Sequence, residues 1–254
     1  MSKFSIVKQW YLCANFYLSR SPIYSSQVIS SVHSSHRRHE KIMSTPKYKL
    51  IYFDYMWLGE PIRYLLHYVK EDFEDVRLDS VEWDKPDGKI DKNIYTYQKL
   101  PILENLENGF KLGQSYAIAR YLARKYNLAG KTEEEAAKCD EYADVVKDVL
   151  KRMEQMWDKD EKTKAELLKF WLEETVPRYF SVIESDLKKN GGKYLVGNDF
   201  TWVDFVLSHT AQLFTMYTET DVLANYPVIK EYQHQIFEIP QIKAYIAKRP
   251  LSPY

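Results

Sequence analysis

Three short stretches hold residue types that could do chemistry together: Tyr52, Leu100-Pro101 and Gln114-Ser115. Tyr52 lies in Lys49-Leu50-Ile51-Tyr52-Phe53, which reads as a short strand, and it faces a helix that begins near Leu58. A tyrosine hydroxyl so placed can donate a hydrogen bond to a thiolate and favour its ionised form. A free thiol of pKa about 8.5 is only about 3% ionised at neutral pH. Lowering that pKa by roughly two units, about 2.7 kcal/mol of differential stabilisation, makes most of it the nucleophilic thiolate. On spacing alone, Tyr52 reads equally as a core residue of its strand.

Leu100-Pro101 opens a second strand beside an irregular loop. An X-Pro bond there can be cis, which would turn the Leu100 backbone outward to pair with an extended peptide ligand; the plain alternative is a strand-initiating proline. Gln114-Ser115 immediately precedes a helix. The unpaired N–H groups and positive dipole end of a helix N-terminus suit a carboxylate, and the serine hydroxyl adds a donor. Alone, the pair is also an ordinary N-cap.

The elements that must position these residues follow from pattern. Gly59-Glu60-Pro61 opens a helix to about Val69, with Pro61 in the first turn where its missing N–H costs nothing. Phe73 to Leu78 alternates as a strand, and 84–98 is polar and irregular, a loop with one short helix. Leu100–Glu104 and Gly109–Leu112 read as two strands joined by a turn at Glu107-Asn108-Gly109. A helix then runs from Gln114-Ser115 to about Tyr126, with Ile118, Tyr121, Leu122 and Tyr126 on one stripe. Beyond the linker Asn127–Lys131 every period is helical: about 132–157, then about 161–189 with a bend near Pro177, then a helix after Thr201. Thr132-Glu133-Glu134-Glu135 and Thr201-Trp202-Val203-Asp204 both have capping-box spacing, and Phe200 and Phe205 flank the second as a hydrophobic staple.

Composition narrows the classes of function. The 254 residues suffice for one large or two modest domains, and 36 basic against 36 acidic residues gives no electrostatic case for nucleic acid or membrane as the main partner. Two cysteines, Cys13 and Cys139, exclude a disulfide framework and point to a reducing compartment, with cytoplasm the natural expectation. Residues 1–43 differ from the rest: six Lys/Arg, one acid (Glu40), serine pairs and the cluster His36-Arg37-Arg38-His39. They read as a mitochondrial transit peptide or as a disordered upstream extension, with Met43 an alternative start. No apolar run reaches the roughly 18 to 20 residues of a membrane span.

In order and spacing, several motifs together resemble the cytosolic glutathione transferases, over nearly all of 47–254. They are Tyr48–Phe53, Gly59-Glu60-Pro61-Ile62-Arg63, Leu100–Glu104, Gln114–Leu122, Leu128-Ala129-Gly130 and Tyr194-Leu195-Val196-Gly197 through Asp204. The chain looks most like the sigma class, which includes haematopoietic-type prostaglandin D synthases and insect and helminth enzymes. The resemblance implies an α/β thioredoxin-like domain over 47–125 followed by an all-α domain over 131–254. It also implies a homodimer with glutathione as co-substrate and no metal. By the same resemblance Tyr52 activates the thiol, Trp83 contacts the glycyl end, Lys99 and Leu100 pair with the cysteinyl part, and Gln114 and Ser115 grip the γ-glutamyl carboxylate. Asp148, on a stripe with Asp140 and Asp144, reaches the glutathione amino group of the other subunit, unless Lys147, Lys151 or Arg152 pair with that stripe.

The departures are specific. Leu58 replaces the arginine found six residues after the tyrosine in vertebrate sigma enzymes, as in the insect branch. Gln98 stands where the family has glycine, Asp87 where it has a glycyl-contacting lysine, and about five extra residues lie between Trp83 and Pro101. Lys85 or Lys89 could substitute for that lysine. Tyr55 and Leu58 are expected to wall an apolar electrophile pocket. Conjugation of glutathione to a small hydrophobic electrophile, a lipid-peroxidation aldehyde for instance, is the reaction so implied. The rivals are a glutathione-dependent prostaglandin D synthase-type isomerase and a non-catalytic crystallin-like or ligand-carrier relative.

Overall fold

The computed structural model describes residues 45–85 and 91–250. The readings of residues 1–43 and those involving Asp87 and Lys89 fall outside them. The first strand, β1 (Tyr48–Phe53), pairs in parallel with β2 (Phe73–Leu78) and antiparallel with β3 (Ile102–Asn105), which pairs antiparallel with β4 (Lys111–Gly113). The sheet order is therefore β2-β1-β3-β4, with β1 central. The parallel β1–β2 pair needs a crossover, which α1 (Glu60–Tyr68) supplies. A short helix, α2 (Ser80–Asp84), and two single turns of 3₁₀ helix, Lys92–Ile94 and Thr96–Gln98, fill the connection to β3. The β3–β4 turn falls where the residues place it: Gly109 adopts a φ of 72°, and the Asn105 side chain accepts from the Glu107 N–H at 2.9 Å.

After α3 (Ser115–Lys125) every described element is helical: α4 (Glu133–Glu154), α5 (Glu161–Phe170), α6 (Val176–Lys189), α7 (Trp202–Thr218), α8 (Pro227–Phe237) and α9 (Pro240–Ile246). The stretch 161–189, expected as a helix with a bend near Pro177, is interrupted close to that residue. A π-helical turn, Trp171–Thr175, separates α5 from α6, just where Pro177 offers no N–H to the carbonyl of Glu173. The two capping boxes also differ. At Thr201 the box closes fully, Asp204 accepting from the Thr201 N–H and hydroxyl, with Phe200 and Phe205 rings 6.3 Å apart. At Thr132 the hydroxyl caps Glu135 at 3.2 Å, but the Glu135 carboxylate reaches the N–H of Lys131 rather than that of the cap. None of the described helices is long and apolar enough to cross a membrane.

Two cores result. Tyr48, Leu50, Ile62, Leu66, Leu103, Ile118 and Leu122 form a small one between the sheet and helices α1 and α3. The larger is centred on α7, whose residues 202–211 are all buried, Asp204, Ser208, His209 and Thr210 included, and it extends to Tyr52, Trp57, Tyr64 and Leu65 of the sheet part. By strand alternation Tyr52 follows Tyr48 and Leu50, yet it packs with the larger cluster, at the place where the sheet part meets the helices.

Candidate functional site around Tyr52

Tyr52 sits one residue beyond the last β1–β3 pair, Ile51 with Ile102, so its ring leaves the ladder while still fixed by β2 through Arg77. The chain then turns through Trp57–Gly59 and brings the Leu58 N–H to the Tyr52 hydroxyl oxygen at 3.3 Å. Because that oxygen is the acceptor, the single hydroxyl proton is left to be donated elsewhere. Burial raises the Tyr52 pKa above the usual tyrosine value, against the smaller lowering by the Leu58 N–H. Tyr52 is therefore a neutral hydrogen-bond donor across the physiological range.

The turn can come this close only because residue 59 is glycine. A Cβ on Gly59 would lie 2.4 Å from Cδ1 and 2.8 Å from Cγ of Tyr52. The pattern Gly59-Glu60-Pro61 gave the helix start, but the contact that requires the glycine is across the turn and has no signal in the sequence.

Leu100-Pro101 is the one cis peptide among the described residues, and Leu100 stands two residues before the first paired residue of β3, outside the ladder. Gln114 and Ser115 follow β4. Gln114 is exposed with a φ of 73°, a left-handed conformation that is uncommon outside glycine and concentrated at functional sites. Ser115 is the first residue of α3, not its cap, and the Gln114 side chain makes no capping bond. The plain N-cap alternative is thereby set aside: the start of α3 has no capping side chain of its own. Tyr55 and Leu58, half-buried on the larger core, flank Tyr52, with the Tyr55 ring 6.3 Å away and edge-on.

The far end of the site is an aromatic row. Ring centroids run Tyr52–Phe53 5.5 Å, Phe53–Trp83 5.7 Å and Trp83–Tyr95 5.5 Å. Trp83 is buried, and the Lys92 ammonium lies 5.4 Å over its ring. Of the lysines expected near this end, Lys85 is paired with Glu82 at 2.5 Å. Lys92 carried no signal in the sequence, since it lies in the irregular stretch after Trp83 where counting gives no register. Gln98 has a φ of 50°, the backbone region that glycine adopts most cheaply, and its side-chain amide donates to Asn93 within the loop at 3.1 Å. Lys99 is exposed beside Leu100.

The acidic stripe on α4 divides. Arg120 of α3 takes Asp140 at 2.6 Å and Asp144 at 3.7 Å, whereas Asp148 is exposed and no ion pair joins it to Lys147, Lys151 or Arg152. Trp157, which sequence reasoning did not place at the site, packs on Trp57 at 5.0 Å between centroids and brings the end of the α4 region to the turn that holds Tyr52.

Below α1, His209 of α7 is buried against the Tyr64 ring, 6.0 Å between centroids, and burial pushes its pKa down to about 4. The unfolded chain takes up this proton near pH 6.5 and the folded chain only near 4, so the fold loses stability as pH falls through that window, up to about 3 kcal/mol. Comparing thermal unfolding at pH 7 and pH 4.5, His209→Gln should show a smaller drop in Tm than wild type; an equal drop would contradict this burial effect.

Known proteins share this arrangement. Residues 48–124 match the family profile described as "Glutathione S-transferase, N-terminal domain" and residues 147–249 the one described as "Glutathione S-transferase, C-terminal domain". "Glutathione S-transferase 1" of Ascaris suum is 35% identical, over 82% of this chain and all of that protein. "Hematopoietic prostaglandin D synthase" of Homo sapiens is 32% identical, over 81% of this chain and 98% of that protein. The solved prostaglandin synthase D of Nilaparvata lugens superposes with a TM-score of 0.74 at 36% identity, covering 82% of this chain and all of that one. With a mixed four-stranded sheet, a helical second part and these matches, the chain belongs to the glutathione S-transferase family, and glutathione is its co-substrate.

Proposed function

We propose that this chain joins the sulfur of glutathione to small apolar electrophiles, with Tyr52 as the residue that makes the sulfur a nucleophile. The observation that carries this reading is the orientation of the Tyr52 hydroxyl, which accepts from the Leu58 N–H and keeps its own proton for donation. In the assigned roles, the Leu100 main chain pairs with the cysteinyl part of glutathione, and the open start of α3 at Gln114-Ser115 takes the γ-glutamyl carboxylate. Trp83 and Lys92 take the glycyl end. Tyr55 and Leu58, with Trp57 and Trp157, wall the electrophile side. The thiol proton leaves to solvent, the thiolate attacks the electrophilic carbon and the C–S bond forms; with an aryl chloride the chloride departs with its electron pair, and with an unsaturated aldehyde the carbon next to the carbonyl takes up a proton from solvent. Tyr52 donates to the sulfur throughout and is not consumed, so its gain is thiolate stabilisation and positioning.

The finer assignments are a sigma-type enzyme of the insect and helminth kind, acting as a homodimer in the cytoplasm on products of lipid oxidation. Asp148, exposed and unpaired on α4, then reaches the amino group of glutathione bound by the second copy. The test is conjugation of an aryl chloride, followed alongside retention on immobilised glutathione. Retention with conjugation supports the reading. Retention without conjugation would overturn it and favour an isomerase or a carrier.

Lys92 gives a further expectation. An ion pair made by a half-buried surface lysine such as Lys92 contributes at most about 1 kcal/mol, so Lys92→Ala should raise KM for glutathione up to about fivefold and leave kcat unchanged. Lys85 is already engaged with Glu82, so Lys85→Ala should leave both KM and kcat unchanged. Equal KM values for wild type and Lys92→Ala in initial-rate kinetics would remove Lys92 from the site.

A further inference from the structure

We propose that Arg249 and Tyr245, at the C-terminal end of the chain, are positioning residues for Tyr52, acting through a buried charge cluster. The proposal rests on the thiol-activating reading of Tyr52 given above. Arg249 Nη1 donates to Glu60 Oε1 at 2.6 Å and to the Tyr64 hydroxyl at 2.8 Å. The Tyr245 hydroxyl donates to Glu60 Oε2 at 3.0 Å, and the same oxygen accepts from Arg63 Nη1 at 3.1 Å. Arg63 in turn donates to the carbonyl of Tyr55 at 2.9 Å and to that of Phe53 at 3.4 Å, and its Nε is held by Asp75 at 3.1 Å. Glu60 and Arg63 are fully buried.

Two walls of the Tyr52 site hang on this cluster. Arg63 fixes the segment 53–55 that leaves Tyr52. Glu60, first residue of α1, anchors the end of the Trp57–Gly59 turn that supplies the Leu58 N–H and the bare Gly59 surface. The cluster is closed only by residues some 185 positions later in the chain. Three acids (Asp54, Glu60, Asp75) face three arginines (Arg63, Arg77, Arg249), and removing Arg249 leaves the buried Glu60 with Arg63 as its sole arginine. A buried carboxylate that loses a partner re-pairs or draws in water, and either outcome moves Arg63 and the turn together. Neither Arg249 nor Tyr245 belongs to the set of residues placed on glutathione, so their effect on the sulfur passes through the groups they hold, Glu60 and Tyr64 for Arg249 and Glu60 and Arg77 for Tyr245.

The test is the thiol titration of bound glutathione, read from thiolate ultraviolet absorbance, with conjugation kinetics on the same samples. Arg249→Met keeps the stem and removes the charge. It should raise the bound thiol pKa by about one unit and lower kcat tenfold at a pH below both pKa values, with KM for glutathione within about twofold. Arg249→Lys should recover part of the shift. Tyr245→Phe removes the bond to Glu60 and the one accepted from Arg77 without removing a charge, should move the pKa in the same direction by less, and serves should Arg249→Met not fold. A folded Arg249→Met or Tyr245→Phe with the wild-type thiol pKa would overturn the proposal. Tyr52→Phe is run beside them: if it too leaves the thiol pKa unmoved, the thiol-activating reading fails instead.

Discussion

Tyr52→Phe is expected to lower the rate of aryl chloride conjugation about 50-fold at pH 6.5 and only about twofold at pH 8.5. The arithmetic is that of a thiol whose pKa is about 6.5 beside the Tyr52 hydroxyl and about 8.5 without it: half is thiolate at pH 6.5 in one case and about 1% in the other. The replacement removes one oxygen and leaves the ring, whose packing against Gly59 and Phe53 needs no hydroxyl. Binding of glutathione should change little, since its γ-glutamyl grip is assigned to Gln114-Ser115, so the loss belongs in kcat. A loss equal at both pH values, in initial-rate measurements, would mean that Tyr52 acts on something other than ionisation of the sulfur.

The second large effect is Gly59→Ala. Residue 59 has an ordinary right-handed backbone, with φ −82° and ψ −28°, so alanine there would normally be neutral or stabilising. The approach of the Tyr52 ring reverses the sign, because a Cβ 2.4 Å from Cδ1 forces the ring or the turn to move by about an ångström. That movement breaks the Leu58 N–H contact and displaces the hydroxyl, and a displacement of this size can reduce kcat about 100-fold. A loss of about 1–3 kcal/mol in urea unfolding should accompany it. In the Tyr52→Phe background the same change should reduce the rate further only slightly, since the hydroxyl it displaces is already gone. A Gly59→Ala variant as active and as stable as wild type would refute the close contact.

How much of this was legible in the sequence depended on the distance over which each signal acts. Local signals read well: β1, α1 and β2, the Gly109 turn, the Thr201 box and the start of α3 are each specified within a few residues. Tyr52, Leu100-Pro101 and Gln114-Ser115 could be grouped because a strand end, an X-Pro step and a helix start are all short patterns. What did not read is what depends on residues far apart. The bend near Pro177 was legible but not its form, a π-helical turn at 171–175, and Trp157 meets Trp57 from a hundred residues away. That Lys92 lies over the Trp83 ring could not be counted out from Trp83, because residues in an irregular loop place a side chain without leaving a periodic trace. The roles of Glu60 and Arg63 were hidden for a different reason: buried charges look like ordinary surface charges of a helix until Asp75, Tyr245 and Arg249 are seen closing on them.

Tyr52 is also where the departures from vertebrate relatives matter least. Leu58 contributes its backbone N–H to the hydroxyl, a service any residue but proline can perform, while its side chain packs against the larger core and is proposed to wall the electrophile side. Change at position 58 can therefore retune which electrophiles enter without touching the activation of sulfur.

The most direct test of the account is the ultraviolet titration of the thiol of glutathione bound to wild type and to Tyr52→Phe. The account predicts a midpoint near pH 6.5 in wild type and a return to within half a unit of about 8.5 in the variant. A bound thiol that titrates at the same pH in both proteins would contradict it.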